Sequence, residues 1–198
     1  MASLLNISSS RLVESKVLPY DAEIEYLEST GTQYIDTLIN NTSDLEFYIK
    51  LDNTKEPADL RVINRGYFGT IGVWGNFLGC YRNNSTFYWV RPNWYYSGNE
   101  NGLIEAYCGL DNIVVNGVTG AKKGDSGNTY RGTINLFRGM EGYTQIKMYY
   151  IQIYKNGILV YDAIPVRVGT TGYMYDKVSG TLLGNAGTGS FILGPDKQ

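Results

Sequence analysis

From Leu45 the side chains alternate without a break: Leu45, Phe47, Ile49 and Leu51 are apolar, while Glu46, Tyr48 and Lys50 between them carry polar groups. Successive side chains of a strand point to opposite faces, so this period of two predicts a half-buried β-strand. A second strong pattern lies near the C-terminus, where a strand turns on Asn156-Gly157 and resumes as Ile158 to Asp162. Asn followed by Gly accepts the positive φ that both centres of a type I′ turn require, which predicts a β-hairpin. In its first arm Ile151 and Ile153 share one face and Met148, Tyr150, Gln152 and Tyr154 the other. That predicts a central sandwich strand with aliphatics inward and tyrosines across the outer face.

The rest of the chain repeats this vocabulary in shorter pieces. Gly31 marks a bend between Ile24 to Leu27 and Gln33 to Asp36, and Asn40-Asn41-Thr42-Ser43 reads as a loop. From Leu60 to Tyr96 the segments RVIN, YFGTIGVWG, FLGCYR, TFYWVR and WYY are separated by Gly66, Gly75-Asn76, Asn83-Asn84 and Pro92-Asn93. Connections this short imply antiparallel neighbours. Gly102 to Cys108 follows, then a second hairpin signal at Asn116-Gly117, the exposed loop GAKKGDSGNTYRG, and a strand from Thr133 to Phe137. Beyond Pro165 come glycine-punctuated bursts at Tyr173 to Tyr175, Thr181 to Leu183 and Phe191 to Leu193. Strands this short need partners elsewhere, which weaves the C-terminus into the body of the domain.

Composition agrees. The 198 residues include 24 glycines and 18 tyrosines but only 5 prolines, and no stretch has the period of a long amphipathic helix. One all-β domain of this length is ordinary. The expected architecture is all-β, a two-sheet antiparallel jelly-roll sandwich over residues 23–198, preceded by an N-terminal segment over residues 1–22. That segment holds Leu4, Leu5, Ile7, Leu12, Val13, Val17 and Leu18 without a clean period. It reads either as a first element along the domain edge or as an arm that orders on a neighbouring subunit.

The strings IQIYKNGILVYDAIPVR, GYMYDKVSG and GNAGTGSFILGP, with YLESTGTQYIDT at residues 26–37, resemble the laminin-G-like, concanavalin A-like jelly-roll modules. Such modules recur in proteins of gut bacteria and of the phages that infect them, and the likeness covers roughly residues 23–195. The resemblance implies the fold; the superfamily itself hosts lectins, glycosidases and purely structural modules. It also implies a virion protein, such as a head-decoration, fibre or tail-associated protein. In that setting the N-terminal arm contacts other virion subunits in an oligomer and the outer loops meet host-surface glycans.

Charge and chemistry narrow the classes. A formal charge of −2 offers no basic face for nucleic acid. Histidine is absent, which removes the commonest general base and transition-metal ligand. Cys80 and Cys108 cannot form a metal site alone; two buried thiols or a single bridge remain open. The first residues, with Arg11, Glu14 and Lys16 among the aliphatics, do not read as a secretory signal, and no apolar run is long enough to span a bilayer. The expected location is therefore a virion surface, or the cell exterior reached by another route.

Three strings carry candidate chemistry. Trp94, Tyr95 and Tyr96, flanked by Arg91, Asn93 and Ser97-Gly98-Asn99, read as a loop displaying aromatic rings beside polar groups. Sugars stack their C–H faces on such rings while amides and guanidinium groups bond the hydroxyls, so these residues are the expected ligand contacts. EIEYLE brings Glu23, Glu25 and Glu28 into a short run, similar to the catalytic strand of retaining jelly-roll glucanases. Glu stands where that pattern has its central Asp and Glu28 falls off the shared face, so the expectation is solvated edge carboxylates and no catalysis. Calcium is implied by the resemblance alone: Asp36, Asp44, Asp111, Asp125 and Asp162 are scattered, and no ligand set is assigned. Gly184 to Phe191, GNAGTGSF, lacks the Lys-Ser/Thr of a phosphate cradle and reads as a turn.

Overall fold

The computed structural model describes the backbone of residues 17–53, 65–69, 79–83, 86–91, 94–98, 102–122, 132–139 and 142–198. Side chains are described for residues 17–53, 96–98, 102–122, 132–138 and 143–198. Residues 1–16 of the expected arm, RVIN, residues 70–78, Asn93 and most of the GAKKGDSGNTYRG loop, Asp125 included, lie outside the described residues.

Within these residues there is no helix, and the strands pair antiparallel throughout. The larger sheet has eleven strands. Its main path runs Val118–Thr119, Ile113–Val115, Leu103–Cys108, Leu45–Asp52, Lys147–Lys155, Ile158–Val168, Thr171–Asp176 and Thr181–Leu183. Ala22–Glu23, Leu27–Glu28 and Ile192–Leu193 attach to it off that path. A seven-stranded sheet orders Ala121–Lys122, Trp94–Gly98, Thr86–Arg91, Gly79–Asn83, Arg65–Gly69, Thr133–Leu136 and Ile35–Asn40. A two-stranded ribbon, Arg138–Gly139 with Gly142–Tyr143, follows directly on the second sheet.

One apolar core is shared by both sheets. Leu45, Phe47, Ile49, Leu51, Ile104, Cys108, Ile151, Ile153 and Met174 come from the larger sheet, and Ile35, Tyr96, Ile134 and Leu136 from the smaller. Two sheets sealed by one core make a β-sandwich-like, all-β architecture. Alternation does the sorting: Leu45, Phe47, Ile49 and Leu51 are all buried, as their spacing predicts.

Both hairpins form at the expected turns. Asn116 and Gly117 have φ of 47° and 80°, and Asn156 and Gly157 have φ of 51° and 74°, the left-handed pair that a type I′ turn demands. The second hairpin reaches further than Asp162, its return strand running on through Pro165 to Val168.

Met148 corrects the sequence reading. It lies in the core and not among the tyrosines, because the pairing of Lys147–Lys155 with Leu45–Asp52 shifts register between Met148 and Tyr150. The extra residue of a bulge returns the side chain before it to the opposite face. Two other boundaries move. The strand expected at Gln33 to Asp36 begins at Ile35 and continues to Asn40, and Ala121–Lys122, expected in a loop, pairs with Trp94 and Tyr95.

A second apolar cluster sits on the other face of the larger sheet, where Ile164, Val166 and Tyr175 are buried beneath Tyr20, Tyr150, Tyr173 and Leu182. Tyr20 closes it, its ring centroid 5.0 Å from that of Tyr175 and its hydroxyl donating to Glu23 Oε1 at 3.2 Å.

Tyr161 is a polar misfit in the core: it is 1% exposed, and its hydroxyl has no hydrogen-bond partner among the described residues. Burial pushes that hydroxyl's pKa far above the ordinary value. An unsatisfied buried hydroxyl costs roughly 1–3 kcal/mol, so Tyr161→Phe is expected to raise stability by about that amount in a denaturant melt. A fall in stability would mean that the hydroxyl is bonded.

Candidate functional site

Among the described residues, the outer face of the larger sheet brings aromatic and polar groups together at the surface. Register makes the site. Tyr48 stands opposite Tyr107 on one side and Gln152 on the other, and Gln152 stands opposite Asp162. Tyr107, Tyr48, Gln152 and Asp162 thus lie abreast on four adjacent strands, a row about 14 Å wide at ~4.8 Å per strand. In a neighbouring row Tyr150, Lys50 and Glu105 stand abreast, and Tyr154 faces Glu46.

The rings are fixed against one another. Tyr48 and Tyr107 stack with centroids 4.4 Å apart and planes 29° apart, and Tyr154 meets Tyr48 edge-on at 5.8 Å. Tyr107 donates its hydroxyl to Glu46 Oε2 at 2.6 Å, and Tyr154 donates to Gln152 Oε1 at 3.4 Å. Gln152 Nε2 donates in turn to Asp162 Oδ1 at 3.2 Å, and Lys177 holds the other oxygen of that carboxylate at 2.8 Å. Lys50 pairs with Glu105 at 2.5 Å. Burial, then the bond to Glu46, pushes the Tyr107 hydroxyl well above its usual pKa, so it stays a neutral donor at any ordinary pH. Tyr48 remains 41% exposed, which leaves a ring surface open at the centre of a polar rim.

This arrangement suits recognition. Stacked rings present an apolar platform with its rotamers already set, and amide, carboxylate and ammonium groups surround it for hydroxyls. The carboxylates of the row are each engaged: Glu46 by Tyr107, Asp162 by Gln152 and Lys177, Glu105 by Lys50.

The residues expected as ligand contacts from sequence are placed differently. Trp94–Gly98 is a strand paired with Thr86–Arg91, where a ring-displaying loop was expected, and Tyr96 is buried in the core. Its burial withdraws Tyr96 from any surface platform. Arg91 and Trp94 stand opposite each other across the two strands and Tyr95 faces Val90; these three side chains, and Asn93 altogether, lie outside the described residues.

The acidic run separates. Glu23 pairs with Val166 and is approached by Lys197 at 3.8 Å, whereas Glu28 sits in another short strand between Lys147 and Ile192. Glu28 is buried and Glu25 exposed, so the expectation of solvated carboxylates fails for Glu28, which Ile192–Leu193 helps to cover. Among the described residues no group of three or more His, Cys, Asp or Glu is placed to hold a metal ion. Asp36 and Asp44 are occupied locally, Asp36 accepting from Leu38 N at 2.9 Å and Asp44 from Asn156 Nδ2 at 2.9 Å. Cys108 is buried on the larger sheet.

The glycine-rich turn has a structural task. Ala186 N donates to Tyr34 O at 2.8 Å, Thr188 N to Thr32 O at 3.1 Å, and Thr32 Oγ1 to Thr188 O at 2.9 Å. Asn185 Oδ1 accepts from Tyr34 N and from Gly187 N, and buried Gln33 ties Ser29, Thr30 and Thr32 together from beneath. The two distant strings YLESTGTQYIDT and GNAGTGSFILGP are therefore docked on each other.

No protein-family model matches this chain, and no curated protein matches it.

Proposed function

We propose that this protein is a non-enzymatic attachment module, a jelly-roll of the concanavalin A-like or laminin-G-like kind, that binds host-surface glycans as a virion structural protein. The glycan half of this reading is carried by one observation: Tyr48, stacked on half-buried Tyr107 and met edge-on by Tyr154, is exposed amid a hydrogen-bonded polar rim. The virion half rests on the resemblance of the strings at residues 26–37 and 145–195. In it the head-decoration, fibre or tail protein is held by its N-terminal arm to neighbouring subunits and is displayed on the particle surface. Carbohydrate binding in a gut bacterial surface protein is the same chemistry in a different assembly.

The test is a glycan array probed with the full chain and with a Tyr48→Ala, Tyr107→Ala double variant. Base-stacking on a single aromatic ring contributes roughly 1–3 kcal/mol, and a sugar laid over two rings is expected to lose at least about tenfold in affinity when both go. Tyr48 is exposed and Tyr107 half-buried, so the double variant is compared with the full chain only once a cooperative melt shows that it is folded. An array that stays blank, or binding that survives the double substitution, refutes the reading.

A further inference from the structure

A second surface feature stands apart from the tyrosine row. The strand Thr133–Leu136 ends at Phe137, whose φ of 64° is an outlier for a bulky residue. The strained turn is held from both sides. Its carbonyl accepts from Thr144 N at 3.0 Å and Thr144 Oγ1 at 3.2 Å, and its buried ring lies 4.9 Å from that of Phe191. What the turn delivers is Arg138, the next residue, directly opposite Tyr143 in the short ribbon.

The Arg138 guanidinium lies against two rings from different parts of the chain. Its central carbon is 4.7 Å from the Tyr34 centroid and 5.2 Å from that of Tyr143, and the rings are inclined at 48° with centroids 6.0 Å apart. Tyr34 is itself fixed, because its backbone is bonded to Asn185 and Ala186. Among the described residues no carboxylate pairs with Arg138 and no acceptor takes its N–H groups. Arg167 shows the usual alternative, a forked pair with Asp196 through Nε at 2.7 Å and Nη2 at 2.5 Å.

We infer that Arg138, held against Tyr34 and Tyr143, is the seat of an oxyanion site that takes a carboxylate or sulfate group of an acidic saccharide. Both rings lie to one side of the guanidinium and no described acceptor takes its N–H groups, which leaves a planar fork that matches two oxygens of one oxyanion. The partial exclusion of water by the two rings strengthens the pairing, and no carboxylate among the described residues competes for it. Strain of the Phe137 kind persists where the surrounding structure enforces it, and it gathers at ligand clamps. That the oxyanion belongs to a saccharide rests on the glycan-binding reading; the seat itself does not.

The test is calorimetric titration of the full chain with a uronic-acid oligosaccharide, its carboxyl-reduced counterpart and inorganic sulfate. The acidic oligosaccharide is expected to bind at least about tenfold more tightly than the reduced one, with the preference weakening as salt is added. Arg138→Gln should abolish the preference, and Arg138→Lys should keep only the part a point charge provides. Tyr143→Leu, which retains the arginine and removes one ring, should weaken sulfate binding several-fold even if Arg138→Gln folds poorly. Sulfate bound through Arg138 with no saccharide bound keeps the seat and overturns the glycan reading. Equal affinity for the acidic and reduced sugars, or a preference that survives Arg138→Gln, overturns the assignment, as does absence of binding by both sulfate and the acidic sugar.

Discussion

Truncating Phe47 to alanine is expected to remove about 3–5 kcal/mol of stability, the largest loss of any single substitution considered for this chain. Phe47 is among the largest fully buried side chains and lies on the strand between Leu103–Cys108 and Lys147–Lys155, opposite Cys108 and Ile153. Its removal leaves a void at the middle of the larger sheet, where strands on both sides restrict collapse. Against a typical domain stability of about 5–15 kcal/mol, that loss should lower the melting temperature by roughly 6–20 °C. Ile158→Ala at the exposed hairpin tip should change stability by less than about 0.5 kcal/mol, and comparable losses at both positions would mean that the core is not where the sheets meet.

Gly187→Ala is expected to undo the docking of the two distant strings. A Cβ at Gly187 would meet the backbone oxygen of Thr32 at 2.2 Å, and backbone cannot swing aside as a flexible side chain can. The turn must lift, breaking the bonds from Ala186 to Tyr34 and from Thr188 to Thr32. Overpacking together with two lost hydrogen bonds amounts to about 2–4 kcal/mol. Since φ at Gly187 is not in the left-handed region, the penalty is one of space and not of backbone preference. Amide exchange should then quicken at Ala186 and Thr188 ahead of the central strands, and unchanged protection there would show that the turn is not docked.

Local patterns carried far in this chain, and non-local ones did not. The Leu45–Asp52 alternation and the two Asn-Gly hairpins are short-range signals, and each sits where its chemistry requires. Trp94–Gly98 was obscured because Pro92-Asn93 and Ser97-Gly98 punctuate it like a loop, while its pairing with Thr86–Arg91 gives it strand structure. Met148 was misplaced by a bulge that alternation cannot announce. The outward tyrosines of Lys147–Lys155 and the outward Tyr48 were legible singly. Their union with Tyr107 was not, because it depends on which strands become neighbours and in what register. Arg138 was silent for a similar reason: its ring partners, Tyr34 and Tyr143, meet only after the chain folds, and nothing in the residue types marks Phe137 for positive φ.

The tyrosine face is the proposed place where the molecule meets a glycan. Titrating isotope-labelled protein with the strongest oligosaccharide ligand found on an array, while following the aromatic ring resonances by NMR, addresses this directly. The rings of Tyr48, Tyr107 and Tyr154 should shift together and saturably, with the core ring of Tyr161 unmoved. Shifts confined to Trp94 and Tyr95, or none at all, would contradict it.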